Sequence, residues 1–75
     1  MRIRLKLMGL LKAGTPAGGV LDVPDGATIE DALRVLAIAP PGNAVISVNG
    51  RIERDRTRTL VADDELTVIP PVGGG

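Results

Sequence analysis

Few side chains in this 75-residue chain can do chemistry, because histidine, cysteine and the aromatic residues are all absent. That removes the imidazole base, the thiolate nucleophile, the usual zinc ligands and any platform on which nucleic-acid bases stack. Asp63-Asp64-Glu65 is the densest run of carboxylates. Consecutive residues of a turn point in different directions, and no histidine or second acidic cluster completes a metal or acid–base site around them. The stretch from Arg51 to Arg58 mixes both signs of charge and reads as a solvated loop rather than an anion site. Gly18-Gly19 lacks the remaining glycines and the lysine of a phosphate-binding loop, so it reads as a turn. The closing run, Pro70-Pro71-Val72-Gly73-Gly74-Gly75, is different in kind. Its prolines fix φ, supply no amide donor and end a strand. The glycines after them carry no Cβ, so they make a thin thread that can carry a terminal carboxylate through a narrow channel into another protein's active site.

The rest of the chain must hold and aim that thread. Its length allows one domain with a small core and no large pocket. Nine basic residues balance nine acidic ones, which gives no field that draws the chain to nucleic acid or an anionic membrane. The absence of cysteine excludes disulfides. No apolar run approaches the roughly 20 residues that cross a bilayer, and the start lacks the apolar region of a signal peptide. The expected compartment is the cytoplasm.

Along the chain, Arg2-Ile3-Arg4-Leu5-Lys6-Leu7 alternates charged and apolar residues with period two, which predicts a strand with one buried face. Gly9 breaks that pattern, and the stretch from Gly14 to Gly19 predicts the loop of a hairpin that returns through Val20-Leu21-Asp22-Val23. Pro24-Asp25-Gly26 is turn chemistry. Thr28 to Leu36 predicts a helix: Thr28 caps it, Glu30 and Asp31 suit the positive end of its dipole, and Ile29, Ala32, Leu33 and Leu36 form one apolar stripe. After a loop through Pro40 and Pro41, Ala44 to Val48 is a β-branched strand. Asn49-Gly50 then signals a two-residue turn into a brief return at Ile52. Leu66-Thr67-Val68-Ile69 is the last strand, entered from the acidic turn.

Strand, strand, helix, strand, short strand, strand is an α+β order. A helix over one face of a mixed four- to five-stranded sheet, with the first and last strands side by side at its centre, would be the β-grasp (ubiquitin-like) fold. The expected domain spans residues 1–69, followed by a flexible diglycine tail over 70–75.

Val48-Asn49-Gly50, the run from Leu60 to Ile69 and the closing Pro70 to Gly75 together resemble the ubiquitin-like sulfur carriers of the MoaD/ThiS family. The likeness covers essentially the whole chain. Its most specific part is the closing run, which is more similar to the small subunit of molybdopterin synthase than to the thiazole-forming carrier. The resemblance implies a carrier rather than an enzyme. In that family an E1-like enzyme adenylates the terminal glycine with ATP, the carboxylate becomes a thiocarboxylate, and its sulfur passes to a precursor inside an acceptor enzyme. Here the position is Gly75, with Gly74 and Gly73 giving slender access and Pro70, Pro71 and Val72 setting the exit direction.

The implied pathway is molybdenum- or tungsten-cofactor synthesis, with the large subunit of molybdopterin synthase as acceptor. Alternatives within reach of the same terminus are a carrier for thiazole or another sulfur metabolite, and a ubiquitin-like protein modifier. No bound cofactor, metal, nucleic acid or membrane is implied. The chain departs from the family where aromatic residues often stand: Ile69 precedes the prolines, and Leu7-Met8 ends the first strand. The usual basic residue after that strand has no clear match, Lys12 being nearest, and the stretch from Ala39 to Asn43 is short. An aliphatic docking patch around Leu60 and Ile69 is expected in place of an aromatic one.

Overall fold

The computed structural model describes residues 1–37 and 44–70, without the side chain of Leu10. Strands β1 (Arg2–Leu7), β2 (Val20–Asp22), β3 (Val45–Val48), β4 (Arg51–Ile52) and β5 (Glu65–Ile69) form one sheet in the order β2-β1-β5-β3-β4. Helix α1 (Ile29–Val35) supplies the core with Ile29, Ala32 and Leu33. At the centre β1 and β5 run parallel, Leu5 opposite Leu66 and Leu7 opposite Val68, and every other pairing is antiparallel.

Period-two patterning works as expected in β1. Ile3, Leu5 and Leu7 are buried, while Arg2, Arg4 and Lys6 face outward. Burial of Ile3, Leu5, Leu7, Ile46, Val48, Leu66 and Val68 on the inner face against Ile29, Ala32 and Leu33 makes a single core. Two of the outward cations of β1 find partners at their register positions: Arg2 Nε lies 3.1 Å from Asp22 and Arg4 3.6 Å from Glu65.

The helix start is more elaborate than a single cap. Thr28 Oγ1 accepts the Asp31 amide at 3.1 Å, and the Asp31 carboxylate accepts the Thr28 amide at 3.0 Å, a capping box with aspartate in the third position. The amides of Ile29 and Glu30 donate to the carbonyls of Arg58 and Arg56, at 3.1 and 2.9 Å. The charged loop between β4 and β5 therefore closes the helix terminus with its own backbone. Inside that loop Glu53 pairs with Arg58 at 3.4 Å, and Asp55 accepts the Thr57 amide and hydroxyl, consistent with a loop that orders itself.

Hydrogen bonds from the Thr28 amide, then from its hydroxyl, with Arg34 adding a smaller effect, hold the Asp31 carboxyl below the ordinary aspartate value. A carboxyl whose pKa falls on folding contributes stability above its unfolded value of about 3.9, and that contribution is lost as pH falls through the lowered value. An NMR pH titration is expected to place the Asp31 midpoint below that of an unstructured aspartate. Thr28→Ala is expected to move it part of the way back, because the backbone donor remains.

The Asn49-Gly50 turn forms as the dipeptide predicts, with φ of 54° and 84° at its two positions. The other boundaries shift slightly. Val23 is buried beyond the end of β2, and β5 begins at Glu65. The connection from β1 to β2 is more ordered than a loop, containing short 3-10 turns at Gly9–Gly14 and Ala17–Gly19. Expected tail residues 71–75 and loop residues 38–43 lie outside the described residues.

Candidate functional site

The tail's point of departure is the site that the fold builds. Strand β5 lies between β1 and β3, so the residues leading to Pro70 are held on both sides. The Met8 amide donates to the Val68 carbonyl at 3.1 Å, carrying the parallel contact past the end of β1. Ile69 sits opposite Val45 of β3 and is half-buried, as is Pro70. A chain leaving from the middle of a sheet has a better-defined starting direction than one leaving from an edge strand.

Around that exit the outer face of the sheet is aliphatic. Met8 and Val45 are each 38% exposed there, whereas Ile52, also outward-facing, stands one row farther from the exit, opposite Ser47. Farther from the exit the face turns polar, with Lys6, Thr67 and Ser47 in one row and Arg4 beside Glu65 in the next. Thr67, on this outer face and on the central strand β5, is only 8% exposed.

Leu60 is not part of this surface. The expected docking patch is corrected there: Leu60 is 1% exposed and belongs to the core, and its amide donates to the Ala27 carbonyl at 2.8 Å. The loop that closes the helix terminus also turns this side chain inward. The aliphatic surface beside the exit consists of Met8, Val45 and Ile69 instead. Of the expected tail residues, Pro70 is placed at the end of β5, whereas Pro71, Val72, Gly73, Gly74 and Gly75 lie outside the described residues.

The acidic turn has a structural task. Asp64 is 6% exposed, and its carboxylate accepts Asn49 Nδ2 at 2.8 Å and the Val61 amide at 2.9 Å. Asn49 Oδ1 in turn accepts the Glu65 amide at 2.8 Å. This exchange ties the β3–β4 turn to the start of β5 and satisfies a carboxylate that burial would otherwise penalise. Sequence reasoning missed the Asn49–Asp64 pair, since fifteen positions separate the two residues. Among the described residues no cluster of three or more acidic side chains could hold a metal ion. The shallow hollow beside the helix start contains Asp31 and Arg34, but their charged groups are already paired with each other at 3.1 Å.

Parallel first and last strands at the centre of a five-stranded sheet, with one helix across one face, define a β-grasp protein of the ubiquitin-like class. The crystal structure of SAMP1 from Haloferax volcanii has the same fold. It superposes with a TM-score of 0.76 over 100% of both chains, at 25% sequence identity. The chain belongs to the ThiS family, whose sequence profile matches residues 5–75. It is therefore a ubiquitin-like sulfur carrier, a kind of protein that is generally non-catalytic and works with an E1-like activating enzyme and an acceptor enzyme. A comparison with curated protein sequences gives no match. No helix among the described residues is long and apolar enough to cross a membrane.

Proposed function

We propose that this carrier is activated at the carboxylate of Gly75 and donates sulfur in the synthesis of molybdopterin. The observation that carries the reading is the closing run Pro70-Pro71-Val72-Gly73-Gly74-Gly75, which follows directly on the central strand β5. A carboxylate is a poor electrophile. Attack of its oxygen on the α-phosphorus of ATP, in the active site of an E1-like partner, releases pyrophosphate and leaves an acyl-adenylate. Hydrosulfide or an equivalent sulfur donor then attacks the acyl carbon, AMP departs, and a thiocarboxylate remains. The carrier contributes the acyl group, and its partners contribute the catalysis. Met8, Val45 and Ile69 would form the docking surface beside the exit, with aliphatic side chains where aromatic residues often stand in the family.

The test is intact-mass spectrometry after incubation with an activating enzyme, ATP and sulfide. A gain equal to replacing one oxygen by sulfur, assigned by fragmentation to Gly75, is expected. No gain with any of several activating enzymes would refute carriage at this terminus. Supplying the product to a molybdopterin synthase large subunit and its precursor tests the pathway. Sulfur transfer there supports the assignment, and transfer only to a thiazole-forming acceptor, or conjugation to protein lysines, replaces it.

A further inference from the structure

Residue 9 adopts a left-handed backbone conformation at the point where the chain leaves β1, with φ of 56°. Its neighbour across space is the first residue of the tail run. A Cβ built on Gly9 would stand 3.0 Å from Pro70 Cγ and 3.7 Å from Pro70 Cδ. Carbon atoms in favourable contact sit about 3.5–4.0 Å apart, so any side chain at residue 9 pushes on the proline ring. That ring is the last described part of the chain before the thread begins. The amide just before Gly9 is fixed to the same strand, Met8 N–H to Val68 O. Left-handed glycines occur elsewhere in the chain, yet a Cβ on Gly26, with φ of 83°, would meet nothing within 4 Å.

We infer that Gly9 is a positioning residue for Pro70: its bare Cα leaves the room in which the proline ring sits, so residue 9 sets where the chain stands at the start of the closing run. The inference rests on the carrier reading for its functional consequence, but not for its geometry. Gly9 touches no reacting atom and acts through Pro70. Adenylation needs the terminal carboxylate placed against ATP while the folded domain is docked on the partner. A side chain at residue 9 pushes on Pro70 and so acts on the first of these. Residue 9 is exposed and follows Met8, so KM is read alongside kcat to separate this from an effect on docking. At 3.0 Å the proline ring must give way before a Cβ fits, and reaction rates are sensitive to small misplacements of a reacting group.

Gly9→Asn is the informative substitution, because asparagine tolerates the left-handed conformation better than most residues while still carrying a Cβ. Its expected effect is a fall of about tenfold or more in kcat for pyrophosphate release by the activating enzyme. KM is expected to change less than about twofold and the melting temperature to stay near that of the parent protein. Gly26→Asn, the same exchange facing open space, is expected to leave kcat unchanged. Pro70→Ala removes the ring atoms that a new Cβ would strike. Gly9→Asn combined with Pro70→Ala is therefore expected to match Pro70→Ala alone, the non-additivity of residues in contact.

A second readout does not depend on any partner. The chain has no cysteine, so spin labels at Glu30→Cys and Gly75→Cys report one distance distribution. Gly9→Asn is expected to shift it, and Pro70→Ala to remove the difference between chains with and without the Gly9→Asn exchange. Multiplicative losses in kcat, or an unshifted distance distribution, would overturn the assignment. If the parent protein is not adenylated while the distances shift as expected, the carrier reading fails and the positioning contact stands.

Discussion

Deletion of residues 73–75 is expected to abolish sulfur loading while leaving the fold intact. Strand β5 ends at Ile69, and the core that α1 shares with β1, β3 and β5 lies wholly upstream of the deletion. Removing terminal residues that follow the last strand changes stability little when the backbone hydrogen bonds of the domain are untouched. Loss of loading follows from reach. An extended residue spans at most about 3.3–3.6 Å, so three residues withdraw the carboxylate by about 10 Å, far beyond the near-contact distance that adenylation requires. Thermal denaturation and intact-mass analysis of the same preparation check both halves. An unchanged melting temperature with no thiocarboxylate is expected. A truncated chain that still loads would place the reactive group elsewhere.

The second large effect is on stability. Leu60→Ala is expected to cost about 2–5 kcal/mol, because the side chain is 1% exposed among core residues. Total stabilities are about 5–15 kcal/mol for natural proteins, so the variant is expected to be partly unfolded under mild conditions. Urea denaturation followed by circular dichroism measures it. The outcome separates two roles for the same leucine. A docking residue would leave the urea midpoint in place and raise KM for the activating enzyme, whereas a core residue lowers the midpoint. The loop that delivers Leu60 to the core also gives the Arg56 and Arg58 carbonyls to the first helical amides, so the substitution is expected to loosen the helix start as well.

Much of this architecture was legible residue by residue. Alternation in β1, the Thr28 cap, the apolar stripe on α1 and the Asn49-Gly50 turn are local patterns, decided by side-chain periodicity and allowed backbone angles over a few positions. The aliphatic surface at the exit was legible only in part. Ile69 lies beside the tail, but Leu60 does not, since the direction of a side chain in an irregular loop depends on where that loop is anchored. Its anchors are the Ala27 carbonyl and the amides of Ile29 and Glu30, about thirty positions earlier in the chain.

The acidic turn shows the same division. A run of neighbouring carboxylates looks solvated in one dimension, yet Asp64 is buried, with its carboxylate accepting the Asn49 side-chain amide from the β3–β4 turn. By itself, then, the sequence determined the elements, the α+β class and the residue types of the closing run, since each depends on residue types a few positions apart. Tertiary structure alone decided the register that sets Leu5 opposite Leu66 and Leu7 opposite Val68, that Leu60 belongs to the core and that Gly9 seats Pro70. Those facts join residues distant in sequence, where proximity is set by packing the whole chain and no local preference of either partner encodes it.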